Sequence, residues 1–531
     1  MDRLLLLGDE AIGQGALDAG ISGIYAYPGT PSTEITEYVQ QQVRSAGENI
    51  HCEWSANEKT AMEEALGMSY AGKRAMVCMK HVGVNVAADG FVNAAITGVN
   101  GGLIITVADD PSMHSSQNEQ DSRFYGKFAM IPVYEPSNQQ EAYDMVHEGF
   151  DLSERTGLPV MMRITTRLAH SRTGIVRKPR RNENELKLPD DPRQFVLLPA
   201  IARKRFKHLL DIQNEISREA LESQYNEYFD GSHKKLGIIA AGLGYNYLRE
   251  NLAQDECSYP VLKISHYPVS HEMLRPLLEE CETILVIEDG FPFIEEQING
   301  LYGDKPVKGR LDGTFPRDGE MNPDLVRKAL QLPVIETENV PENVTGRPPA
   351  MCKGCSHIDM YEALIEALKE YGEGRVFSDI GCYTLGALPP YNAINTCVDM
   401  GASVTMAKGA ADAGLVPAVS VIGDSTFTHS GITGLLDAVN EDSPITIIIS
   451  DNSTTGMTGG QPSPGTGKLE EICKGMGIPD EHVITINPLK KEKENNIRVM
   501  AKEFAYQGVS VIIAQRECIQ TAARRKRDQK K

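Results

Sequence analysis

Two polar loops, each placed directly after an apolar run, constrain the fold of this chain most strongly. Asp424 follows the run 418–422 after a single glycine, and an aspartate-asparagine pair ending at Asn452 follows the run 445–450. The 28 residues from Asp424 to Asn452 fit one helix between two neighbouring strands. In parallel α/β sheets the carboxyl ends of the strands face a common crevice in which ligands bind. The two side chains and one backbone carbonyl of the second loop would present hard oxygen ligands to Mg²⁺, which completes its octahedron with phosphate oxygens. The alternative is a pair of ordinary strand-end turns, which are rich in these residues.

Length, charge and cysteine content limit the class of protein. The chain has 531 residues, enough for three or four domains. Its net charge of −20 argues against a general affinity for nucleic acid or for anionic membranes. The sequence has no apolar run long enough to span a membrane and no signal-like N-terminus, so we expect a cytoplasmic protein. The ten cysteines are then expected as free thiols, metal ligands or catalytic groups.

Alternating strand and helix signals predict an α/β fold with parallel sheets. In the first part we expect strands at 21–27, 75–79 and 102–107, with a helix from Glu34 capped by Ser32 or Thr33. In the second part we expect strands at 236–241, 261–264 and 283–287. We expect a first domain at 1–175, a linker with an exposed helical arm at 176–234 and a second domain at 235–335. Another linker at 336–349, a third domain at 350–520 and a solvated basic tail without a role at 521–531 follow.

Five sequence runs carry a resemblance to a known family. They are Tyr27–Ser32, Asn57–Lys59, Gly381–Gly386, Gly423–Phe427 and Asp451–Gln461. From residue 5 to about residue 520 the chain resembles the α subunit of indolepyruvate ferredoxin oxidoreductase and, more broadly, the 2-oxoacid:ferredoxin oxidoreductases. The resemblance implies a thiamine diphosphate enzyme that oxidatively decarboxylates an aryl 2-oxoacid to its acyl-CoA and passes the electrons to ferredoxin. It also implies that the three domains are pyrimidine-binding, transketolase-C-terminal-like and diphosphate-binding, in that order.

The resemblance assigns three catalytic candidates. Thiamine diphosphate supplies its own nucleophile once a carboxylate binds N1′ of its aminopyrimidine ring, and Glu58 is the candidate for that carboxylate. Glu58 also starts a predicted helix rich in small residues, where an ordinary first-turn glutamate is the alternative. Thr30 is implied to reach the cofactor or the substrate carbonyl, with a helix-entry hydroxyl as the alternative. Arg123 is implied to bind the substrate carboxylate, which suits a guanidinium, with a surface salt bridge as the alternative.

The resemblance also assigns the metal and cofactor residues of the third domain. Mg²⁺ would be held by Asp424, by the Asn452 side chain and by the carbonyl of Thr454. The residues implied to line the diphosphate or thiazolium pocket, besides Asp424 and Asn452, are Gly423, Ser425, Cys382, Tyr383, Thr384, Gly456 and Met457. Glycines in such loops allow backbone N–H groups to approach phosphate oxygens.

Four cysteines match the set that holds a [4Fe–4S] cluster in related oxidoreductases. They are Cys352 and Cys355 of a Cys-x-x-Cys motif, Cys382, and Cys518 near the end of the last predicted strand. Four thiolates are what such a cluster requires. A zinc site that includes His357 and a set of four unrelated buried thiols are the alternatives. The remaining six cysteines are expected to be small apolar fillers.

The resemblance implies partners as well as cofactors. We expect a small β subunit, a heterotetramer with two copies of each chain, and a 2-oxoacid and CoA as substrates. Many family members continue into a ferredoxin-like module after the region of Cys518, and we expect this chain to lack it. Its electrons would then leave through the single cluster to ferredoxin or to a separate iron–sulfur subunit. A non-oxidative thiamine-dependent decarboxylase or carboligase without a cluster is the alternative function.

Overall fold

The computed structural model describes residues 3–300, 305–333, 341, 343–345 and 349–529 of the chain. The chain divides into two compact units, Met1–Glu338 and Asn339–Lys531. Unit one contains the first two of the predicted domains, and unit two contains the third. The predicted linker at 336–349 lies mostly outside the described residues. The finer division into three domains stays a prediction.

Unit one contains a six-stranded sheet that is parallel except at one edge. From one edge to the other its strands are His266–Tyr267, Val133–Tyr134, Val160–Thr165, Leu103–Asp109, Ala75–Lys80 and Gly23–Ala26. The short strand His266–Tyr267 pairs antiparallel with Val133–Tyr134. The strands predicted at 21–27, 75–79 and 102–107 are confirmed within a few residues. A separate antiparallel pair joins Arg3–Leu7 to Arg172–Val176.

A second, five-stranded sheet follows in the same unit. Its strands in spatial order are Val307–Lys308, Thr283–Ile287, Leu236–Ala241, Val261–Ile264 and Glu227–Phe229. Only Glu227–Phe229 is antiparallel to its neighbour. The three strands predicted for this region are confirmed. Because His266–Tyr267 comes from this part of the chain but pairs in the first sheet, the two sheets are tied into one compact unit.

The helices of unit one cover both sheets. They are Gly8–Asp18, Thr33–Ala46, Glu58–Tyr70, His81–Thr97, Arg123–Ala129, Gln139–Thr156, Thr166–Ala169, Pro199–Asp211, Gln213–Leu221, Leu243–Asn251, His271–Glu280, Phe293–Ile298 and Pro323–Ala329. The predicted exposed arm consists of the helices Pro199–Asp211 and Gln213–Leu221. Leu209, Ile216 and Ala220 on these helices are buried, so the arm is packed against its unit along one face.

Unit two contains an entirely parallel six-stranded sheet. Its strands in spatial order are Thr396–Cys397, Val376–Ser378, Ala418–Gly423, Ile445–Asp451, Ser510–Gln515 and Val483–Ile486. The central strands are mostly apolar and fully buried, as expected for a parallel sheet covered on both faces. The α/β fold class with mostly parallel sheets is confirmed.

The helices of unit two are Ser356–Leu368, Ala402–Asp412, Asp424–Thr426, Ile432–Asn440, Leu469–Gly475, Lys493–Phe504 and Ile519–Asp528. A π-helical turn at Phe427–Gly431 joins the third to the fourth. Most of the basic tail expected from residue 521 belongs to the helix Ile519–Asp528, which has no buried residue. In the part of the chain that the structure describes, no helix is both long and apolar enough to cross a bilayer.

Candidate active site

Asp424 begins the helix that follows the strand Ala418–Gly423, at the carboxyl edge of the sheet in unit two. Its side chain is buried, and Oδ2 accepts no hydrogen bond from the described residues. Burial, and then the neighbouring Asp451 carboxylate, raise the pKa of Asp424 to about 7. A buried carboxylate oxygen without a hydrogen-bond partner is costly in free energy. The chemistry of this position therefore suits a bound cation.

Asn452 lies in the loop after the next strand, Ile445–Asp451, and is also buried. Its Oδ1 accepts a hydrogen bond from the Thr454 amide at 3.1 Å, which fixes the turn of the loop. Thr454 stands opposite Pro462 in a short antiparallel pair. Since proline has no amide hydrogen, it donates no ladder hydrogen bond to the Thr454 carbonyl.

The two loops meet directly. The Thr455 hydroxyl donates to Ser425 Oγ at 3.0 Å, and Gly423 and Ser450 are paired in register on the adjacent strands. The structure thus brings together the loops of the predicted Mg²⁺ ligands Asp424, Asn452 and Thr454. Ligation itself stays a prediction.

A third loop, at Gly381–Gly386, packs against the same strand end. The Tyr383 ring lies so close to Gly423 that a Cβ at residue 423 would come within 2.6 Å of it. The Tyr383 hydroxyl donates to Asp379 Oδ1 and to the Ile380 carbonyl, and Thr384 Oγ1 donates to the Asp379 carbonyl at 2.5 Å. The hydroxyls of Tyr383 and Thr384, both predicted in the cofactor pocket, are thus engaged within their own loop.

Asp379 is a site residue that the sequence analysis missed. It is buried at the carboxyl end of the strand Val376–Ser378, and burial raises the pKa of Asp379 to about 7. Its Oδ2 accepts from Ser403 Oγ at 2.6 Å and from the Gly401 amide at 3.2 Å. The signal that would have identified it is the one that identified Asp424, an aspartate at the end of an apolar strand.

Gly456 and Met457 lie in the turn after the short strand Thr454–Thr455. A Cβ on Gly456 would lie 3.0 Å from Cys382 Sγ, so the glycine allows this turn to approach the cysteine closely. Met457 is 58% exposed. Because most of this side chain is exposed, its role in lining the pocket stays a prediction.

The four cysteines of the predicted cluster converge. Burial, and then the negative charges of the thiolates of Cys355, Cys518 and Cys352, raise the pKa of Cys382 to about 12. The Cys355 amide donates to the Cys352 carbonyl at 2.9 Å, which closes the Cys-x-x-Cys turn. The Arg516 guanidinium donates to the Gly354 carbonyl at 3.3 Å and to Asp359 at 2.9 Å, which ties this turn to the end of the last strand. A cationic centre bound at this position would favour the thiolate form of Cys382.

The spacing of the sulfurs bears on the zinc alternative. Among the described residues, no three cysteine sulfurs lie within 4.8 Å of one another. A tetrahedral zinc with Zn–S bonds of about 2.3 Å holds its sulfurs about 3.8 Å apart. His357 Nδ1 lies 3.4 Å from Cys355 Sγ, and burial lowers the pKa of His357 to about 4. The wider arrangement suits a cluster in which each thiolate binds a different iron.

In unit one, Glu58 is the first residue of the helix Glu58–Tyr70 and is buried. Asn57 caps this helix by accepting a hydrogen bond from the Thr60 amide at 2.8 Å. A Cβ on Gly83 would come within 2.7 Å of Glu58 Cγ, so Gly83 makes the space for this side chain. Glu63 is exposed beside Lys59, as expected for a residue that points elsewhere on the helix.

Lys80 is a second residue that the sequence analysis missed. It ends the strand Ala75–Lys80, and its Nζ donates to the Ser115 carbonyl at 3.2 Å. Burial lowers the pKa of Lys80 to about 8, although Asp110 and Glu58 act in the opposite direction. A lysine with such a pKa close to a buried glutamate is typical of functional sites.

Thr30 lies in the loop after the strand Gly23–Ala26 and is partly exposed. Its carbonyl accepts a hydrogen bond from Ser115 Oγ at 3.3 Å, so Thr30 and Lys80 share this neighbour. Ser32 is the N-cap residue of the next helix, as predicted, but its side chain makes no capping hydrogen bond. The Ser32 hydroxyl donates to the Gly29 carbonyl at 2.8 Å, and Thr33 Oγ1 accepts from the Gly29 amide at 3.0 Å.

Arg123 is fully buried, so the alternative of a surface salt bridge is wrong. Its guanidinium donates to Asp121, to Glu288 at 2.9 Å and to the carbonyls of Asp289 and Phe291. These carboxylates raise the pKa of Arg123 further above its usual range in spite of burial. The role of Arg123 in binding the substrate carboxylate stays a prediction, and in this structure its donors are occupied by the protein's own oxygens.

Family models match both units. The model described as pyruvate flavodoxin/ferredoxin oxidoreductase, thiamine diphosphate-binding, matches residues 14–229. The model of the C-terminal thiamine pyrophosphate-binding domain of thiamine pyrophosphate enzymes matches residues 379–525, which include the three strand-end loops. A solved 2-oxoglutarate:ferredoxin oxidoreductase from Magnetococcus marinus has a likeness of fold, with a TM-score of 0.51 and 17% identity over 62% of this chain and 65% of that one. The class is that of thiamine diphosphate-dependent 2-oxoacid oxidoreductases.

Curated relatives narrow the class to one family. Indolepyruvate oxidoreductase subunit IorA of Archaeoglobus fulgidus is 40% identical over 97% of this chain and 86% of its own length. The subunit IorA of Pyrococcus abyssi is 39% identical over 97% of this chain and 86% of its own. The chain belongs to the indolepyruvate oxidoreductase subunit IorA family, which confirms the family expected from the sequence.

Proposed function

We propose that this chain is the thiamine diphosphate-binding subunit of an oxidoreductase that converts aryl 2-oxoacids of the indolepyruvate type to their acyl-CoA derivatives. The observation that carries the proposal is the convergence, at one sheet edge of unit two, of the buried Asp424 carboxylate, whose Oδ2 accepts no hydrogen bond from the described residues, the Asn452 loop and four cysteines. When bound, thiamine diphosphate supplies the carbon nucleophile that attacks the 2-oxo group. Asp424, Asn452 and the Thr454 carbonyl would hold the Mg²⁺ of its diphosphate.

Each unit has its own task in this proposal. The Glu58 carboxylate would hydrogen-bond N1′ of the aminopyrimidine and favour its protonation. Gly83 leaves the space for the Glu58 side chain. Thr30 would reach the cofactor or the substrate carbonyl. Arg123 would bind the substrate carboxylate in exchange for one of its present partners, such as Glu288. The diphosphate and thiazolium pocket would be formed or supported by residues of unit two, namely Gly423, Ser425, Thr384, Tyr383, Gly456 and Met457.

Cys352, Cys355, Cys382 and Cys518 would hold a [4Fe–4S] cluster that passes the electrons on. Ferredoxin or a separate iron–sulfur subunit would accept them. A small β subunit, in a heterotetramer with two copies of each chain, completes the enzyme. All ten cysteines are free thiols, which fits a reducing cytoplasm. The cysteine convergence and the family membership favour this function over a non-oxidative thiamine-dependent decarboxylase or carboligase.

The test is an anaerobic assay of the chain co-expressed with its β subunit. Reduction of methyl viologen is measured with indolepyruvate, phenylpyruvate, hydroxyphenylpyruvate and a branched-chain 2-oxoacid, with and without CoA. The expected result is CoA-dependent dye reduction with an aryl 2-oxoacid and about four iron atoms per chain. Release of the aldehyde without dye reduction, from an iron-free chain, would instead establish the non-oxidative function.

A further inference from the structure

The C-terminal helix of unit two, Ile519–Asp528, starts at the cysteine site. Cys518 is the residue directly before the helix, and Gln520 Nε2 lies 3.6 Å from Cys352 Sγ. Cys352 is exposed, whereas Cys355, Cys382 and Cys518 are half-buried. The side of the cysteine site next to this helix is therefore the side that faces solvent. An electron carrier has to approach such a side closely.

This helix carries a concentration of positive charge in an acidic protein. Residues Arg524, Arg525, Lys526 and Arg527 are consecutive and exposed, while the whole chain has a net charge of −20. Four consecutive residues of an α-helix point to different sides, so the charge extends around its surface. Lys353 of the Cys-x-x-Cys turn is exposed and adds to it. We call these five residues the basic face.

Part of this charge is engaged locally. Arg524 donates to the Gly459 carbonyl at 2.7 Å, which anchors the helix to the turn that holds Gly456. Glu517 pairs with Arg525 at 2.9 Å, and Asp528 lies beside Arg527. These two carboxylates offset part of the positive charge, and the surface remains net basic. Basic residues in the last turn of a helix also interact favourably with the helix dipole. That effect accounts for basic residues at a helix end, but it does not account for four consecutive ones beside a redox site.

We propose that the basic face is the docking site of a small acidic iron–sulfur protein that takes electrons from the cluster held by the four cysteines. The inference rests on the proposed function. Oxidation of one 2-oxoacid with CoA yields the acyl-CoA, CO₂, one proton and two electrons, so two oxidised carriers are each reduced by one electron in turn. An acidic carrier is steered to the basic face and repelled by the rest of the acidic surface, which orients it toward Cys352.

The test compares two pairs of charge reversals in the holoenzyme. Lys526→Glu with Arg527→Glu changes the basic face and leaves the Arg524 anchor intact. Arg498→Glu with Lys502→Glu makes the same change of charge on the helix Lys493–Phe504, which leads into the amino end of the strand Ser510–Gln515. Binding of a purified acidic [4Fe–4S] ferredoxin is measured by biolayer interferometry from 50 to 300 mM NaCl, and turnover is measured with ferredoxin and with methyl viologen.

We expect the first pair to weaken ferredoxin binding about tenfold at low salt, to flatten its salt dependence and to leave dye-linked turnover unchanged. The control pair should bind like the wild type. The neutral pair Lys526→Gln with Arg527→Gln, which disturbs the helix dipole less, should give an intermediate loss.

Equal losses in both reversed pairs, or unchanged binding in the first, would overturn the docking site. Tight salt-dependent binding of a DNA oligomer in place of ferredoxin would also overturn it. Absent dye reduction in the wild type would contradict the proposed function instead.

Discussion

The amide of Cys518 donates a hydrogen bond to the carbonyl oxygen of Asn452, with 3.1 Å between nitrogen and oxygen. One residue belongs to the proposed cluster and the other to the proposed Mg²⁺ site. The bond joins these two sites through the backbone, independently of either side chain. The geometry of the diphosphate loop is therefore coupled to the position of the last cysteine.

Two substitutions of Cys518 separate its thiol from its amide. Cys518→Ala should lower iron content and leave the affinity for Mg²⁺ and thiamine diphosphate unchanged. Cys518→Pro also removes the amide hydrogen, and the native φ of −58° suits proline. Since one hydrogen bond contributes about 1 kcal/mol, the proline variant should bind the cofactor about fivefold more weakly than the alanine variant. Iron analysis and calorimetric titration measure the two effects, and equal cofactor affinities would show that the bond does not support the loop.

The raised pKa of Asp424 predicts a pH-dependent effect of Mg²⁺. In the metal-free protein Asp424 stays protonated up to about pH 7, whereas in the unfolded chain it ionises near its usual value. The folded state therefore binds more protons between these values, so the free energy of unfolding falls as pH rises toward 7 and is constant above it. Binding of Mg²⁺ with thiamine diphosphate should raise the Tm more at pH 8 than at pH 5.5. Differential scanning fluorimetry measures this, and in Asp424→Asn the pH dependence of the Mg²⁺ effect should be lost.

Glu58→Gln should retain thiamine diphosphate and lose most turnover. The amide keeps the size of the side chain but cannot hold the proton at N1′, which predicts a fall in kcat on the order of 100-fold or more. Glu63→Gln is the matched control, because Glu63 lies five residues along the same helix and is exposed. Cofactor content and dye-linked kcat are measured for both. Full activity in Glu58→Gln would remove Glu58 from the mechanism.

Two glycines on neighbouring helices should respond oppositely to alanine. At Gly83 a methyl group would come within 2.7 Å of Glu58 Cγ, whereas at Gly67 it would meet nothing within 4 Å. Gly67→Ala should raise the free energy of unfolding by about 0.5–1 kcal/mol, because glycine is a poor helix former. Gly83→Ala should displace Glu58 and lower kcat. Chemical denaturation and kinetics test the pair, and wild-type kcat in Gly83→Ala would show that Glu58 does not need this space.

Asp9 predicts a stabilising substitution outside the proposed site. It is fully buried, and neither carboxylate oxygen has a hydrogen-bond partner among the described residues. Burial, and then the charges of Glu34 and Glu10, raise the pKa of Asp9 well above its usual value. The unfolded chain releases this proton at lower pH, so Asp9 destabilises the fold increasingly as pH rises above its unfolded pKa. Asp9→Asn should raise the Tm, more at pH 8 than at pH 5. Unchanged or lower Tm at pH 8 would contradict this.

Some site residues were predictable from the sequence because their placement depends on the order of residues within a short stretch of the chain. Apolar runs bounded by polar residues located some strands of each of the three sheets, and the placement of Asp424 and Asn452 after two such runs follows from the geometry of parallel sheets. The same rule applied to the strand Val376–Ser378 would have identified Asp379. Lys80 was missed because a lysine at a strand end carries no signal until its burial is known.

The sequence by itself determined the fold class, the family and the spacing of the strand-end loops, because these depend on periodicity and on motifs that are contiguous in the chain. Only the tertiary structure decided the environment of each side chain. It surrounded Arg123 with carboxylates, left Met457 exposed and brought Cys518 next to Asn452. These outcomes depend on residues far apart in the chain, which meet only after the sheets and helices have packed.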